Sequence, residues 1–269
     1  MGIITKITTQ QKNKDRFNIY MDSGQGEEFA FSVDSDVLIK FHLKKGMEID
    51  EFSLMEIQYQ DDIRKAYNLA VHYLARRMRS EKEVRDYLIS KEVDEPVINE
   101  VLLKLSEQKY LNDCEFAAAY VRTQVNTTDK GPEVIKMELK EKGISEALIN
   151  QALDEFPQEQ QIEKVSKISE KFFKKNLKES FRIQKQKLEQ MLLRKGYPYE
   201  VIHIVIDDMD RHKEEDEEME AIRYQGEKAL RKLSKYDGYE WKQRMKQTLY
   251  RKGFSMELIE KYLSEQEKS

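Results

Sequence analysis

Hydrophobic and polar positions divide the chain into two regimes. The stretch Ile3 to Thr9 is β-branched and alternating, and alternation returns at Phe17–Met21 and at Phe29–Val33, the last two separated by Gly24-Gln25-Gly26. Period-two patterning punctuated by glycine reads as strand, strand, turn, strand. Asp34 to Leu43 reads as a short helix closing near Gly46, since a left-handed residue commonly ends a helix. Three strands with one patterned face are barely enough for an independent sheet. We therefore expect a small β-rich cap over residues 1–60, docked on the first helices. From about residue 61 the period changes. Ile63, Ala66, Ala70, Tyr73 and Leu74 recur at helical spacing, and Ser80 with Glu83 makes a capping box ahead of Val84. Helices of about ten to sixteen residues are expected from there on.

Within the helical regime the sequence repeats itself. Val84–Leu102, Ile135–Leu153, Leu188–Ile206 and Met245–Leu263 superimpose without gaps. Each opens on an apolar residue, with Leu88, Leu139, Leu192 and Leu249 four positions on and Lys91, Lys142, Lys195 and Lys252 seven on. Glu92, Gly143, Gly196 and Gly253 follow; Ile98, Ile149, Ile202 and Ile259 lie fourteen positions on; Leu102, Leu153, Ile206 and Leu263 close the set. This is a helix–turn–helix unit. The first apolar pair is one buried stripe, lysine faces the negative helix end, and glycine supplies the left-handed turn. Ser145 and Ser255 are placed to cap the next helix. Glu92, standing where the other repeats have glycine, implies a different or strained turn.

The repeats start 51, 53 and 57 residues apart, which leaves room for one more helix before each pair. Those helices carry Tyr73 and Leu74, Phe116 and Tyr120, Ile168 and Phe172, and Ala229 with Leu230. The expected architecture is mainly α: tandem three-helix repeats in an elongated, curved array behind the N-terminal β-rich cap. The expected divisions are residues 1–60, 61–112, 113–160, 161–212 and 213–269, each repeat relying on its neighbours for a core. An acidic run from Asp207 to Glu220 (Asp207, Asp208, Asp210, Glu214, Glu215, Asp216, Glu217, Glu218, Glu220) interrupts the pattern and reads as solvated helix or linker.

Composition narrows the function. Ten glycines and four prolines in 269 residues suit long helices better than sheets. The single cysteine, Cys114, forms no internal disulfide, as expected in a reducing compartment. No apolar run approaches the roughly 20 residues that span a bilayer, and Met1–Lys6 lacks a signal-peptide core. A cytoplasmic protein that does not engage membranes is expected.

Catalytic signatures are missing from the sequence. It has neither a G-x-x-x-x-G-K-[ST] nor a G-x-G-x-x-G phosphate cradle. His42, His72, His203 and His212 never stand at the spacing of a zinc helix. Asp207, Asp208 and Asp210 lack the glycine turn and bidentate glutamate of a calcium loop. No catalytic, cofactor-binding or metal-binding residues are assigned, and an enzyme is not expected.

With a net charge of −4, any attraction for nucleic acid must be local. Three basic stretches qualify as binding surfaces for phosphate or acidic protein. The first holds Arg76, Arg77, Arg79, Lys82 and Arg85. The second holds Arg122, Lys130, Lys136, Lys140 and Lys142, with Lys136 and Lys140 on one helix face. The third runs from Lys164 to Lys195, with only four acids between residues 161 and 196. Phe172, Phe173, Phe181 and Tyr197 interleave with it, at spacing that suits core packing better than base stacking. Candidate partner- or nucleic-acid-binding residues are Arg76, Arg77, Arg79, Lys82, Arg85, Arg122, Lys130, Lys136 and Lys140.

The second repeat carries Leu111-Asn112-Asp113, Phe116-Ala117, Tyr120-Val121-Arg122, Lys130-Gly131-Pro132, Ile135, Leu139 and Lys142-Gly143-Ile144. This string closely resembles the RecX family of recombinase regulators. Arg79–Val84 with Leu88 in the first repeat, and Phe31–Asp34, Val37-Leu38 and Leu43–Gly46 near the N-terminus, resemble it too. Shorter members have three repeats; the fourth repeat, Glu92 and the acidic run are departures. The resemblance implies a curved, elongated modulator that binds the RecA–DNA filament along its helical groove, inhibits its ATPase and strand exchange, and favours disassembly. The expected partner is the RecA nucleoprotein filament, with single- or double-stranded DNA as a further candidate, bound by a monomer without cofactors. The alternative is a helix-turn-helix DNA-binding regulator. Against it, the second helices of the pairs begin with acids (Glu95, Glu146, Glu200, Glu257), which face phosphates badly. A hydrolase is a third, weaker reading, because no residues assemble a site for it.

Overall fold

The computed structural model describes residues 1–211 and 215–266; His212 and Glu214 of the residues discussed above lie outside them, as do the side chains of Asp210 and Glu215. The chain forms two compact units, Met1–Phe116 with Lys142–Ser145, and Ala117–Glu141 with Glu146–Ser269.

The first unit opens with antiparallel strands β1 (Gly2–Thr9), β2 (Arg16–Asp22) and β3 (Glu27–Asp34), as their alternation predicts. Asp22 Oδ1 accepts from the amides of Gly24 (2.7 Å) and Gly26 (3.1 Å), both with positive φ, and so closes the β2–β3 turn. Helix α1 (Ser35–Lys40) ends sooner than expected: His42 takes the left-handed turn at φ 50°, and the Leu43 amide reaches back to the Leu38 carbonyl. Gly46 instead turns the chain into β4 (Glu48–Ile49), a fourth strand with no sequence signal, which completes the order β3-β2-β1-β4. Ile4, Ile19, Val33, Val37 and Ile57 form the core under this sheet.

Helix α2 (Glu51–Leu74) starts ten residues before the expected change of period. Asp50 caps it, accepting from the Ser53 amide at 2.7 Å. The helix was illegible there because Phe52 (76% exposed) and Met55 (63% exposed) face solvent and blur the amphipathic pattern. Buried Asp61 ties α2 to the sheet by accepting from the Asp34 amide (2.8 Å) and from Arg16 Nη2 (2.8 Å). With α3 (Glu81–Ile89) and α4 (Glu95–Glu107), α2 completes the first three-helix repeat around Ala66, Ala70, Val84, Leu88 and Ile98.

Three more triplets follow: α5 (Asp113–Thr127), α6 (Pro132–Glu141) and α7 (Glu146–Leu153); α8 (Gln158–Lys175), α9 (Phe181–Arg194) and α10 (Tyr199–Arg211); α11 (Glu215–Leu233), α12 (Gly238–Arg251) and α13 (Met256–Gln266). The repeat register is confirmed residue by residue. The opening residue, the leucine four on and the isoleucine fourteen on are completely buried in all four repeats. Gly143, Gly196 and Gly253 have φ between 81° and 88°, and Glu92 shares the conformation at 59°. After Glu92, Gly196 and Gly253 the next amide (Val93, Tyr197, Phe254) bonds back to the leucine carbonyl at 3.2–3.3 Å. This is the Schellman closure, sealed by an apolar residue just past the turn.

The lysine–glycine turn has a second use, which the sequence did not announce. Within the first unit Ser80, the cap of α3, donates its hydroxyl to the Lys142 carbonyl at 2.8 Å. Within the second unit the Gly131 amide, ahead of α6, donates to the Lys195 carbonyl at 2.7 Å. Ser180, ahead of α9, donates its hydroxyl to the Lys252 carbonyl. Three times, the start of one middle helix meets the end of the next one along the sequence. A Cβ on Gly196 would stand 2.6 Å from the Val134 amide nitrogen, and one on Gly143 would stand 2.7 Å from Lys82 Cβ. Glycine is therefore required twice over at these turns, for its φ and for the close approach.

Candidate interaction surface

The basic residues singled out above sit on helix ends and faces, and most are already engaged. Arg77 Nη2 pairs with Glu83 (2.8 Å), whose other neighbours are Lys142 Nζ (3.2 Å) and the Ser80 amide. Burial opposes ionisation of Glu83, but Arg77, Ser80 and Lys142 outweigh it and hold the carboxyl below its usual range. Arg79 stacks its guanidinium on Tyr73 at 4.0 Å, and Tyr73 stacks in turn on Tyr87 with centroids 4.1 Å apart. Arg85 binds Glu95 and donates to Asn99 at 2.9 Å. Lys82 is exposed, its stem packed near Gly143. Arg76 is exposed and has no ion pair among the described residues.

In the second repeat, Arg122 pairs with Glu155 at 2.8 Å and Lys130 pairs with Glu138, which also accepts from the Tyr120 hydroxyl at 3.0 Å. Lys136 and Lys140 both grip Glu146, at 2.7 and 2.8 Å. Their hydrogen bonds pull the Glu146 pKa down to about 2. The two lysines share a helix face as predicted, and that face closes on the first acid of α7.

The same string is largely architectural elsewhere. Asn112 Oδ1 accepts from the Cys114 and Glu115 amides, both at 3.1 Å, and starts α5. Asp113 Oδ1 accepts from the Glu81 amide at 2.9 Å and satisfies the start of α3. Lys142-Gly143 forms the turn and docking point described above.

The third stretch, less specific in sequence, is left with more unpaired charge. Lys171, Lys174 and Lys175 are exposed on α8 and make no ion pair among the described residues. Lys164 turns inward, donating to the Val125 carbonyl, and burial lowers its pKa. Lys195 reaches Asp129 at 3.3 Å. Tyr197 is buried, as its spacing suggested, and Phe173 stacks on Phe181 with centroids 5.2 Å apart. Exposed cations therefore occur in both compact units, the third basic stretch included.

Among the described residues, no group of three or more histidine, cysteine or acidic side chains is placed to hold a metal, and no helix is long and apolar enough to cross a membrane. The acids opening the third helices are already ion-paired in the first two repeats: Glu95 holds Arg85, and Glu146 holds two lysines. These ends present occupied carboxylates rather than groups that read base edges, which disfavours the helix-turn-helix alternative.

Family models match the chain in order along its length. They describe the N-terminal domain of the regulatory protein RecX (residues 2–50), its first three-helix domain (66–105), its second (112–153), and its third, which matches twice, at 158–206 and 215–263. The regulatory protein RecX of Bacillus cytotoxicus (strain DSM 22905 / CIP 110041 / 391-98 / NVH 391-98) is 47% identical over 98% of this chain and 97% of its own. That of Bacillus cereus (strain B4264) agrees to the same extent. Among solved structures, a regulatory protein RecX superimposes with a TM-score of 0.68 at 37% identity, covering 77% of this chain and 100% of that one. RecX from Lactobacillus salivarius gives 0.55 at 40% identity, over 56% of this chain and 98% of that one.

Proposed function

Because the chain belongs to the RecX family of regulatory proteins, we propose that it is a negative modulator of the RecA recombinase. In this reading it binds the RecA–DNA filament as a cytoplasmic monomer and lowers both ATP hydrolysis and strand exchange during DNA repair and recombination. The observation that carries it is the 47% identity sustained over 98% of the chain, with every family domain present and in order. A repeat protein offers several similar surfaces, which suits a partner that is itself a repeating polymer. Weak contacts by successive repeats gain strength once the first has formed, because later ones close at high effective concentration. Arg76, Lys82 and the α8 lysines are the candidates for contact with acidic protein or phosphate.

The test is the DNA-dependent ATPase of the cognate RecA with sub-stoichiometric amounts of this chain. Inhibition well beyond one RecA subunit per added molecule is expected. An ATPase unchanged even at equimolar chain would remove the RecA reading.

A further inference from the structure

Inside the second compact unit a groove of about 370 Å³ opens between α8, α9, the end of α10 and the start of α11. Its apolar wall is Phe173, Leu177 and Phe181; the two rings are stacked and half-buried, and Leu177 is 53% exposed. Glu170, Asp208 and Glu217 stand around it, all exposed and none in an ion pair among the described residues. Glu179 and Glu218 also line it, and Lys174 is the only cation among the described lining residues. Deeper in, Gln184 is 94% buried. Its Nε2 donates to the Glu179 carbonyl at 2.6 Å, while its Oε1, also buried, has no hydrogen-bond partner. Gln184 thus braces the groove floor through its bond to the Glu179 carbonyl.

The chemistry specifies that ligand. An apolar wall selects a hydrophobic side chain, and an acidic surround selects cations beside it. Phosphodiester is excluded by the same carboxylates. We propose that this groove is a docking site for a basic, amphipathic protein segment. An aliphatic or aromatic side chain of the segment lies against Leu177 and Phe181, and its lysines or arginines face Glu170, Asp208 and Glu217. The groove lies where the two matches to the third-domain model meet, residues 158–206 and 215–263. Most of its wall comes from the third triplet, and the fourth contributes Glu217 and Glu218. The proposal concerns peptide capture by the free chain and stands independently of the RecA reading.

The experiment is fluorescence anisotropy with the full-length chain. The probe is a labelled helical peptide carrying leucines at four-residue spacing flanked by lysine and arginine; a counterpart has glutamate at every basic position. The basic peptide is expected to bind saturably, the acidic one at least about tenfold more weakly, and added salt to weaken binding. Leu177→Asp and Glu217→Lys alter exposed side chains, so both variants should keep wild-type circular dichroism, and each should weaken binding at least about tenfold. Equal binding of both peptides, unchanged affinity in both variants, or displacement of the peptide by oligothymidylate would overturn the assignment.

Discussion

At Glu92 the backbone holds a left-handed turn without glycine, at φ 59°, with the side chain exposed. At Gly196 the same turn, at φ 84°, is pressed against Val134. The difference sets opposite expectations. Glu92→Gly removes the left-handed penalty of about 1–2 kcal/mol, partly offset by the greater freedom of an unfolded glycine, so a small gain in stability is expected. Gly196→Val adds both that penalty and a collision with backbone, and should cost well over about 2 kcal/mol. Urea denaturation followed by circular dichroism measures both; equal effects would show that the close approach at Gly196 is unimportant. Asp61 is the other residue that decides stability. Burial pushes its pKa up, but Arg16, the Asp34 amide and Lys65 outweigh it, so the folded value lies below the usual 3.8. Its contribution is present above pH 3.8 and is lost as pH falls through the depressed folded value. Asp61→Asn should cost about 3 kcal/mol at pH 7 by leaving Arg16 unpaired. The gap from wild type should narrow below pH 3.8, as denaturation at both ends of that range would show.

Between elements, one polar clasp recurs in three of the four repeats. The residue after the repeat's opening position reaches the third helix: Arg85 to Glu95 and Asn99, Lys136 to Glu146, and Lys246 to Glu260 at 2.9 Å, whereas Glu189 stands 3.8 Å from His203, beyond hydrogen-bond range. Lys136→Glu with Lys140→Glu should therefore lower the melting temperature, because three carboxylates would then meet at the start of α7. Adding Glu146→Lys should restore it. If the restored triple variant still fails to inhibit RecA ATPase, the face itself makes contact. If it inhibits like wild type, the loss in the double variant is one of folding. The clasp also shows where sequence reading stopped. Lysine density was legible from composition, but the partners lie ten and fourteen positions away on another helix, so pairing emerges only from packing. The turn glycines and buried leucines were legible because each answers a local demand. The two-residue strand β4 and the first turns of α2 were not: one exists only by pairing with β1, and the other hides behind exposed Phe52 and Met55.

At the scale of the whole chain, the four triplets are expected to contribute unequally under the RecA reading. Ending the chain after Met209 removes the fourth triplet, including the Lys252 carbonyl to which Ser180 donates. Residues 1–209 should stay folded, because the Asn112, Asp113 and Lys142-Gly143 contacts are untouched, and should inhibit the ATPase, though more weakly, because Arg76, Lys82 and the α8 lysines remain. A folded 1–209 chain with no inhibition would place activity in the fourth triplet instead. Removing residues 113–160 should be far more damaging, because the docking between Gly131 and Lys195 is lost with them.

The meeting of one middle helix with the next is made by a main-chain carbonyl and a short donor, a serine hydroxyl or a peptide N–H. Such a coupling asks almost nothing of the surrounding side chains. A stretch of gene copied in tandem would encode its own plug and its own socket, so the newcomer could seat itself before any substitution improved the fit. The third-domain model matching twice in succession is the pattern such copying leaves behind. Repeat number in this architecture is thus open to change in single genetic steps.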